Sequence, residues 1–178
     1  MLKKIRNSLL VFAACVTFFS CSKTTKGSIL PGAFSKTYRA TQTQLETLLE
    51  KNDLTNETRY AVVNRIANNM LAVKDYTSLI LFLTDWVEKH PEDPYNAYWL
   101  LMTAYAYLEN DAEPVAEYYF ERIINNYNDL MVQGKSIHFV CLQHLIQISE
   151  IQANRITYFN QLISRPPNNI STTELYYR

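Results

Sequence analysis

Apolar residues recur at helical spacing in successive pairs of segments, and this repetition constrains the fold more than any other feature of the chain. The clearest pair spans residues 97–130, where a polar turn at Glu109–Glu113 joins two amphipathic helices. Similar pairs lie on both sides. With 3 glycines, 6 prolines and 48% apolar residues among 178, the composition disfavours both disorder and a turn-dense β fold. We therefore expect one all-α domain with a proper core.

Polar residues mark the ends of the predicted helices before the central pair. A first helix begins near Ser35 and presents Tyr38, Leu45, Leu48 and Leu49 on one face. It should end near Asn52–Asp53. Asn56 then offers a polar start to the next helix, and Lys74–Asp75 predicts the turn that closes it.

Three helix pairs share one order of bulky, apolar, small and aromatic residues. The central pair supplies Leu100, Thr103, Ala104, Tyr107, Ala116, Phe120 and Asn128. The upstream pair supplies Val63, Ile66, Ala67, Met70, Leu79, Leu83 and Pro91. The downstream pair supplies His138, Cys141, Leu142, Leu145, Asn154, Tyr158 and Pro166. Small residues at these places let the two helices of a pair approach closely, and the downstream pair lacks them.

This pattern resembles the tetratricopeptide repeat (TPR) family over about residues 60–168. Corresponding places recur at 67, 104 and 142, a longer spacing than the usual ~34 residues, with extra residues at Pro94–Asn96 and Met131–Gly134. The resemblance implies a right-handed α-solenoid of antiparallel helix pairs. About three repeats are expected, near residues 60–93, 97–130 and 135–168. A generic α-solenoid remains the alternative.

The N-terminus has the order of a secretory signal, with a cationic segment at Met1–Arg6 followed by an apolar run at Ser8–Phe19. As a helix this run spans ~18 Å, which is short of the ~30 Å bilayer core. Ser20-Cys21 resembles a bacterial lipobox, in which the cysteine is lipidated and becomes the new N-terminus. We therefore predict a signal peptide over 1–20 and lipidation at Cys21.

Other interpretations of this segment stay open: an ordinary cleaved signal, an uncleaved anchor, or a lipobox ending at Cys15. After lipidation at Cys21, Cys141 has no intramolecular disulfide partner and is expected to be a small buried hydrophobe. Residues 21–34 contain two of the three glycines and form a predicted flexible tether, followed by the helical domain at 35–178.

The C-terminal residues predict one further, partial helix over 171–178. Ser171 and Glu174 form a capping box, and Leu175 is the first apolar residue after it. This segment is expected to cap the helical body, to dock on a partner, or to mark a truncated form of a longer chain, and the last is favoured.

Composition and motifs argue against catalysis, cofactors and nucleic acid. Removal of Lys3, Lys4 and Arg6 with the signal leaves 14 of 17 basic residues against 17 acidic ones, an unsuitable balance for a phosphate backbone. No glycine-rich phosphate loop or Gly-x-Ser-x-Gly motif is present. His138, Cys141 and His144 are spaced along one helix, but the two histidines lie ~9 Å apart along its axis, so no metal is expected.

A TPR-like stack places the first helix of each pair along a concave groove. The residues expected to face it are Asn64, Asn68, Tyr98, Leu101, Tyr105, Phe139 and Gln143. This aromatic, apolar and amide-bearing set suits a peptide segment or helix that binds by side-chain burial. Neighbouring helices or a further repeat covering these residues is the alternative.

Taken together, these features predict a lipid-anchored protein of the bacterial cell envelope that faces the periplasm or exterior. We expect a protein–protein interaction adaptor, not an enzyme, whose partner is another envelope protein or peptide segment. The alternative is a ligand-binding accessory subunit of a periplasmic transport system.

Overall fold

The computed structural model describes residues 41–50 and 54–164. This part of the chain forms seven helices and one short β-hairpin, and the predicted helical fold is confirmed at that level. The elements are α1 (residues 41–49), α2 (Asn56–Ala72), α3 (Tyr76–Lys89), α4 (Asn96–Glu109), α5 (Glu113–Asn126), β1 (Met131–Val132), β2 (Lys135–Ser136), α6 (Ile137–Ile148) and α7 (Gln152–Ser164). The predicted signal, Cys21, the tether and the helix from Ser171 lie outside the described residues.

Side-chain caps fix where α2 and α3 begin. The Thr55 hydroxyl accepts a hydrogen bond from the Thr58 amide at 3.2 Å, so the cap of α2 precedes the predicted Asn56 by one residue. Asp75 caps α3 by accepting from the Ser78 amide at 3.1 Å. Such caps satisfy amides that have no partner within the helix.

Consecutive helices from α2 to α7 pack against each other, and α4 also contacts α6. The short turns between helices use left-handed backbone at Lys74 (φ 58°) and Asp111 (φ 55°), inside the two turns that the sequence predicts. Ala67 and Ala104 are completely buried, as expected for residues that let helices approach closely.

The centre of the fold is α4, which packs against α3, α5 and α6. Its buried residues are Asn96, Ala97, Tyr98, Trp99, Leu100, Leu101, Met102, Thr103, Ala104 and Ala106. A helix that is buried on nearly all sides needs apolar residues all round, and this sequence provides them. The stretch that shows the repeat most clearly is therefore also the centre of the core.

The extra residues at Met131–Gly134 belong to the β-hairpin, which the sequence did not predict. Met131 pairs with Ser136 and Val132 with Lys135, in antiparallel register. Gln133 and Gly134 both have positive φ, of 52° and 76°, as a tight two-residue hairpin turn requires. The hairpin leads directly into α6, where Ser136 caps the helix by accepting from the Phe139 amide.

None of the helices in the described ranges is both long enough and apolar enough to cross a bilayer.

Candidate partner-binding face

Each first helix of a pair contacts the first helix of the next pair: α2 contacts α4, and α4 contacts α6. The ring of Tyr60 on α2 lies 5.4 Å from that of Trp99 on α4 and 6.2 Å from that of Tyr98. Further along α4, the Tyr105 hydroxyl is 3.0 Å from Nε2 of His144 on α6. These contacts bring the helices that carry the predicted groove residues next to each other.

A buried carboxylate fixes the connection between α3 and α4. Oδ2 of Asp93 accepts hydrogen bonds from the indole N–H of Trp86 at 2.7 Å and of Trp99 at 3.1 Å. Its Oδ1 accepts from the Tyr95 amide at 2.9 Å. Both indole donors and the carboxylate are thus hydrogen-bonded in a place that is largely buried. The carboxylate ties the last turn of one helix to the first turn of the next.

Sequence reasoning missed this network. The repeat pattern contains neither tryptophan, and it does not single out Asp93, which is 8% exposed. The available signal was an aspartate in a short connection between two tryptophans, seven residues after one and six before the other. Charged side chains are almost never buried unless paired, so a buried position for Asp93 requires donors such as these.

The His144 side chain of α6 is partly buried and packs against α4 and α5. Its ring stacks on Phe120 at 5.2 Å between centroids, with an interplanar angle of 7°. The ring of Tyr105 meets it edge-on at 5.0 Å. Burial lowers the pKa of His144 to about 4, because the positive imidazolium form is disfavoured away from water. The side chain is therefore neutral at pH 7.

The structure divides the predicted groove residues into two sets. Tyr98 and Leu101 are buried, at 7% and 3% exposure, and burial raises the pKa of Tyr98 to about 12. The partly exposed members are Asn64, Asn68, Tyr105, Phe139 and Gln143. A partner at this face would therefore meet mainly the second set, and the assignment of all seven residues to one groove stays a prediction.

The two asparagines of α2 form a local pair on this face. The Asn68 amide donates to the backbone oxygen of Asn64 at 2.8 Å and to its side-chain oxygen at 3.0 Å. These bonds orient both amides, and neither group is charged. The predicted positions on this face thus combine amides with aromatic side chains and carry no cation.

The three residues of the His-x-x-Cys-x-x-His motif have different neighbours. Nε2 of His138 lies 2.9 Å from the backbone oxygen of Tyr127, whereas that of His144 lies near Tyr105. Cys141 is fully buried between them, as predicted, and burial raises the pKa of its thiol. Over residues 41–50 and 54–164, no group of three or more His, Cys, Asp or Glu side chains is arranged to hold a metal ion.

Comparisons with protein-family models, curated proteins and solved structures found no match to this chain.

A second surface, on α5, was not singled out from the sequence. Tyr118 is 57% exposed and Val115 is 39% exposed. Tyr119 stacks on Tyr107 of α4, with centroids 5.4 Å apart and an interplanar angle of 18°. The repeat pattern includes Tyr107, but neither Tyr118 nor Tyr119 has a place in it.

Proposed function

We propose that this protein is a membrane-anchored, extracytoplasmic adaptor that binds a segment of another envelope protein along α2, α4 and α6. The anchor is a lipid on Cys21, attached after removal of a signal peptide. The helix pairs stack as a TPR-like α-solenoid, and its first helices form the binding face. The partner contacts the partly exposed residues Asn68, Phe139 and Gln143.

The observation that carries this proposal is the direct contact between first helices of successive pairs. Tyr60 of α2 reaches α4, and Tyr105 of α4 reaches α6. In a repeat stack, this side-by-side arrangement produces one continuous surface from several helices. The aromatic and amide side chains there suit recognition by side-chain burial with a few hydrogen bonds.

Site-specific photo-crosslinking in membranes of the full chain tests the proposal. A photoactivatable phenylalanine analogue replaces Asn68 or Gln143 on the proposed face. In matched controls it replaces Leu81 or Ile156, which lie on the second helices α3 and α7 and are 65% and 52% exposed. We expect one shared adduct from the first two positions and none of that mass from the controls.

Adducts that do not depend on the position of the probe would overturn the groove assignment.

Native mass spectrometry of the purified chain addresses the transport alternative, because a ligand-binding subunit would retain a small apolar molecule. Retention of such a molecule together with absence of a position-specific adduct would replace the adaptor proposal.

A further inference from the structure

Exposed large apolar side chains lie on the second helices of the pairs and in the connections. Within the described ranges they are Leu81, Val115, Tyr118, Met131, Ile151 and Ile156. Helices α3, α5 and α7 each contain at least one of them, whereas α2, α4 and α6 contain none. The apolar surface of this part of the chain is therefore separate from the proposed partner face on the first helices.

Three of these residues occupy the same place in successive repeats, and we name them the outer row: Leu81, Tyr118 and Ile156. They follow one another at intervals of 37 and 38 residues, the spacing of the repeat itself. Each is more than half exposed and stands two residues before a buried repeat residue of its own helix. Two residues correspond to ~200° around a helix, so each side chain points away from the core. The outermost position of all three second helices is thus apolar.

Few charges surround the outer row on α3 and α7. The residues three and four positions before and after Ile156 carry no charge. Around Leu81 the single charged residue at those distances is Asp85, which pairs with Lys89 at 2.9 Å. Glu88 lies ~10 Å from Leu81 along α3, near the end of the helix. Contact with the outer row on these two helices therefore requires little desolvation of charge.

On α5 the charge next to the outer row is positive. Arg122 follows Tyr118 by about one helical turn. Burial raises the pKa of the Tyr119 phenol and the positive charge of Arg122 acts against this shift, so the guanidinium lies close to these rings. The carboxylate of Glu121 accepts a hydrogen bond from the Tyr158 hydroxyl of α7, which engages it on another side of α5. This part of the outer row therefore suits an anionic group that lies next to an apolar one.

We propose that the outer row rests on the phospholipid surface to which the protein is anchored. Apolar side chains with few charges around them, and a cation beside the middle one, match the acyl boundary and the phosphates of a bilayer. Tyrosine is among the residues enriched at this boundary, because its ring is apolar and its hydroxyl is polar. In the proposed stack, the first helices then face away from the bilayer and leave the partner face open.

The proposed lipid at Cys21, on which this inference rests, supplies the reason why a membrane is the occupant. Thr41, the first described residue, follows Cys21 by 20 residues and so lies within ~70 Å of the lipid. Tethering raises the effective concentration of the bilayer at the outer row, and three weak contacts then act together. A bilayer is the one surface next to which the proposed anchor holds the chain permanently.

Photo-crosslinking of the full chain in its membrane tests this inference. A photoactivatable phenylalanine analogue replaces Leu81, Tyr118 or Ile156, and the matched controls carry it at Asn68 or Gln143 on the proposed partner face. Mass spectrometry identifies each adduct. We expect a gain of one phospholipid mass at all three positions of the outer row and no such gain at the two control positions.

Fluorescence quenching in vesicles gives a second readout. The lipidated chain is reconstituted with phosphatidylcholine and phosphatidylglycerol, some of whose headgroups carry a nitroxide quencher. An environment-sensitive dye labels Ile156→Cys or, as the control, Gln143→Cys, and Cys141 is fully buried and does not compete for the dye. We expect stronger quenching and blue-shifted emission from Ile156→Cys. Arg122→Glu should reduce this quenching, whereas Arg65→Glu, an equal charge change at an exposed residue of α2, should leave it unchanged.

Protein adducts at the outer row, with the mass of a second copy or of another chain, would overturn the inference, as would equal quenching at Ile156 and Gln143. A chain that is absent from the membrane fraction would remove the anchor and this inference together. A membrane-bound chain without phospholipid adducts at the outer row would remove this inference alone, because the shared partner adduct at Asn68 and Gln143 is measured independently. Circular dichroism of each variant confirms that it is folded.

Discussion

Nε2 of His144 lies 3.0 Å from the Tyr105 hydroxyl, and this contact joins two helices whose contacting residues are 39 positions apart. The partly buried imidazole of α6 packs against α4 and α5, with Phe120 stacked on one face. A titratable group thus occupies the junction between the central and downstream helix pairs.

The first prediction concerns the pH dependence that His144 gives to folding. Burial lowers its pKa from 6.5 to about 4, so the unfolded chain binds this proton more readily than the folded chain. The contribution of the neutral histidine is fully present above pH 6.5, is lost as the pH falls from 6.5 to 4, and changes no further below that. The total loss is about 3 kcal/mol of unfolding free energy.

Urea unfolding of the wild type and His144→Gln between pH 7.5 and 4 measures this effect. Carboxylates titrate in the same interval in both proteins, so the difference between the two curves isolates the histidine. We expect the wild type to lose about 3 kcal/mol more than the variant across the interval. Parallel curves would show that His144 is not the group that titrates.

Asp93 provides the second prediction. Replacement by alanine removes the acceptor of both indole N–H groups, and buried donors without partners are costly. Asp93→Ala should reduce the unfolding free energy by about 2–4 kcal/mol. The chain contains 2 tryptophans, both bonded to this carboxylate, so the emission spectrum of the folded protein should also change.

Asp85→Ala is the matched control for Asp93. Asp85 is exposed and pairs with Lys89 one helical turn later at 2.9 Å. Exposed pairs of this kind contribute little, so the change should stay below about 0.5 kcal/mol. Losses of the same size for Asp85→Ala and Asp93→Ala would contradict the role given to the buried carboxylate.

The third prediction tests close helix packing at Ala104. Its side chain is fully buried in α4, so a leucine there must displace its neighbours. Ala104→Leu should destabilise the fold by about 1–3 kcal/mol in urea unfolding. The same change at Ala61, an exposed residue of α2, should remain within about 0.5 kcal/mol of the wild type. A neutral result for Ala104→Leu would mean that the helices have room to separate.

Cys21 supplies the fourth prediction, on cellular location. If Cys21 carries the lipid, Cys21→Ala should abolish incorporation of radiolabelled palmitate and remove the chain from the membrane fraction. Cys15→Ala, within the predicted signal, should preserve both. Mass spectrometry of the mature N-terminus gives the direct measurement. An unmodified chain that begins elsewhere than Cys21, with membrane association intact in Cys21→Ala, would contradict lipidation at this residue.

The sequence predicted the helix pairs well because core positions repeat at helical spacing. Val63, Ile66, Ala67 and Met70 are repeat positions of the upstream pair at the spacing of one helical face, and all four are buried. The turns at Lys74–Asp75 and Glu109–Glu113 are also confirmed, since polar residues interrupt the pattern there. Periodicity reports which side of a helix is apolar, and this is the property that helix packing uses.

Helical periodicity was less informative about α4 and about the segments that connect the helices. A helix that is apolar all round has no single inward face, so its pattern does not distinguish a groove residue such as Tyr98 from a core residue. The Asp93 network and the β-hairpin depend on contacts between segments, not on periodicity within one. Their geometry becomes visible only when the folded neighbours are known.

The distribution of contacts along the chain has a consequence for how quickly it folds. Helices pack mainly on their neighbours in sequence, and even the hydrogen bonds from Tyr105 to His144 and from Tyr158 to Glu117 span 39 and 41 residues. The entropy cost of closing a loop grows only slowly with its length, and helical proteins dominated by contacts between neighbouring elements fold on microsecond to millisecond timescales. We therefore expect the helical body to fold rapidly.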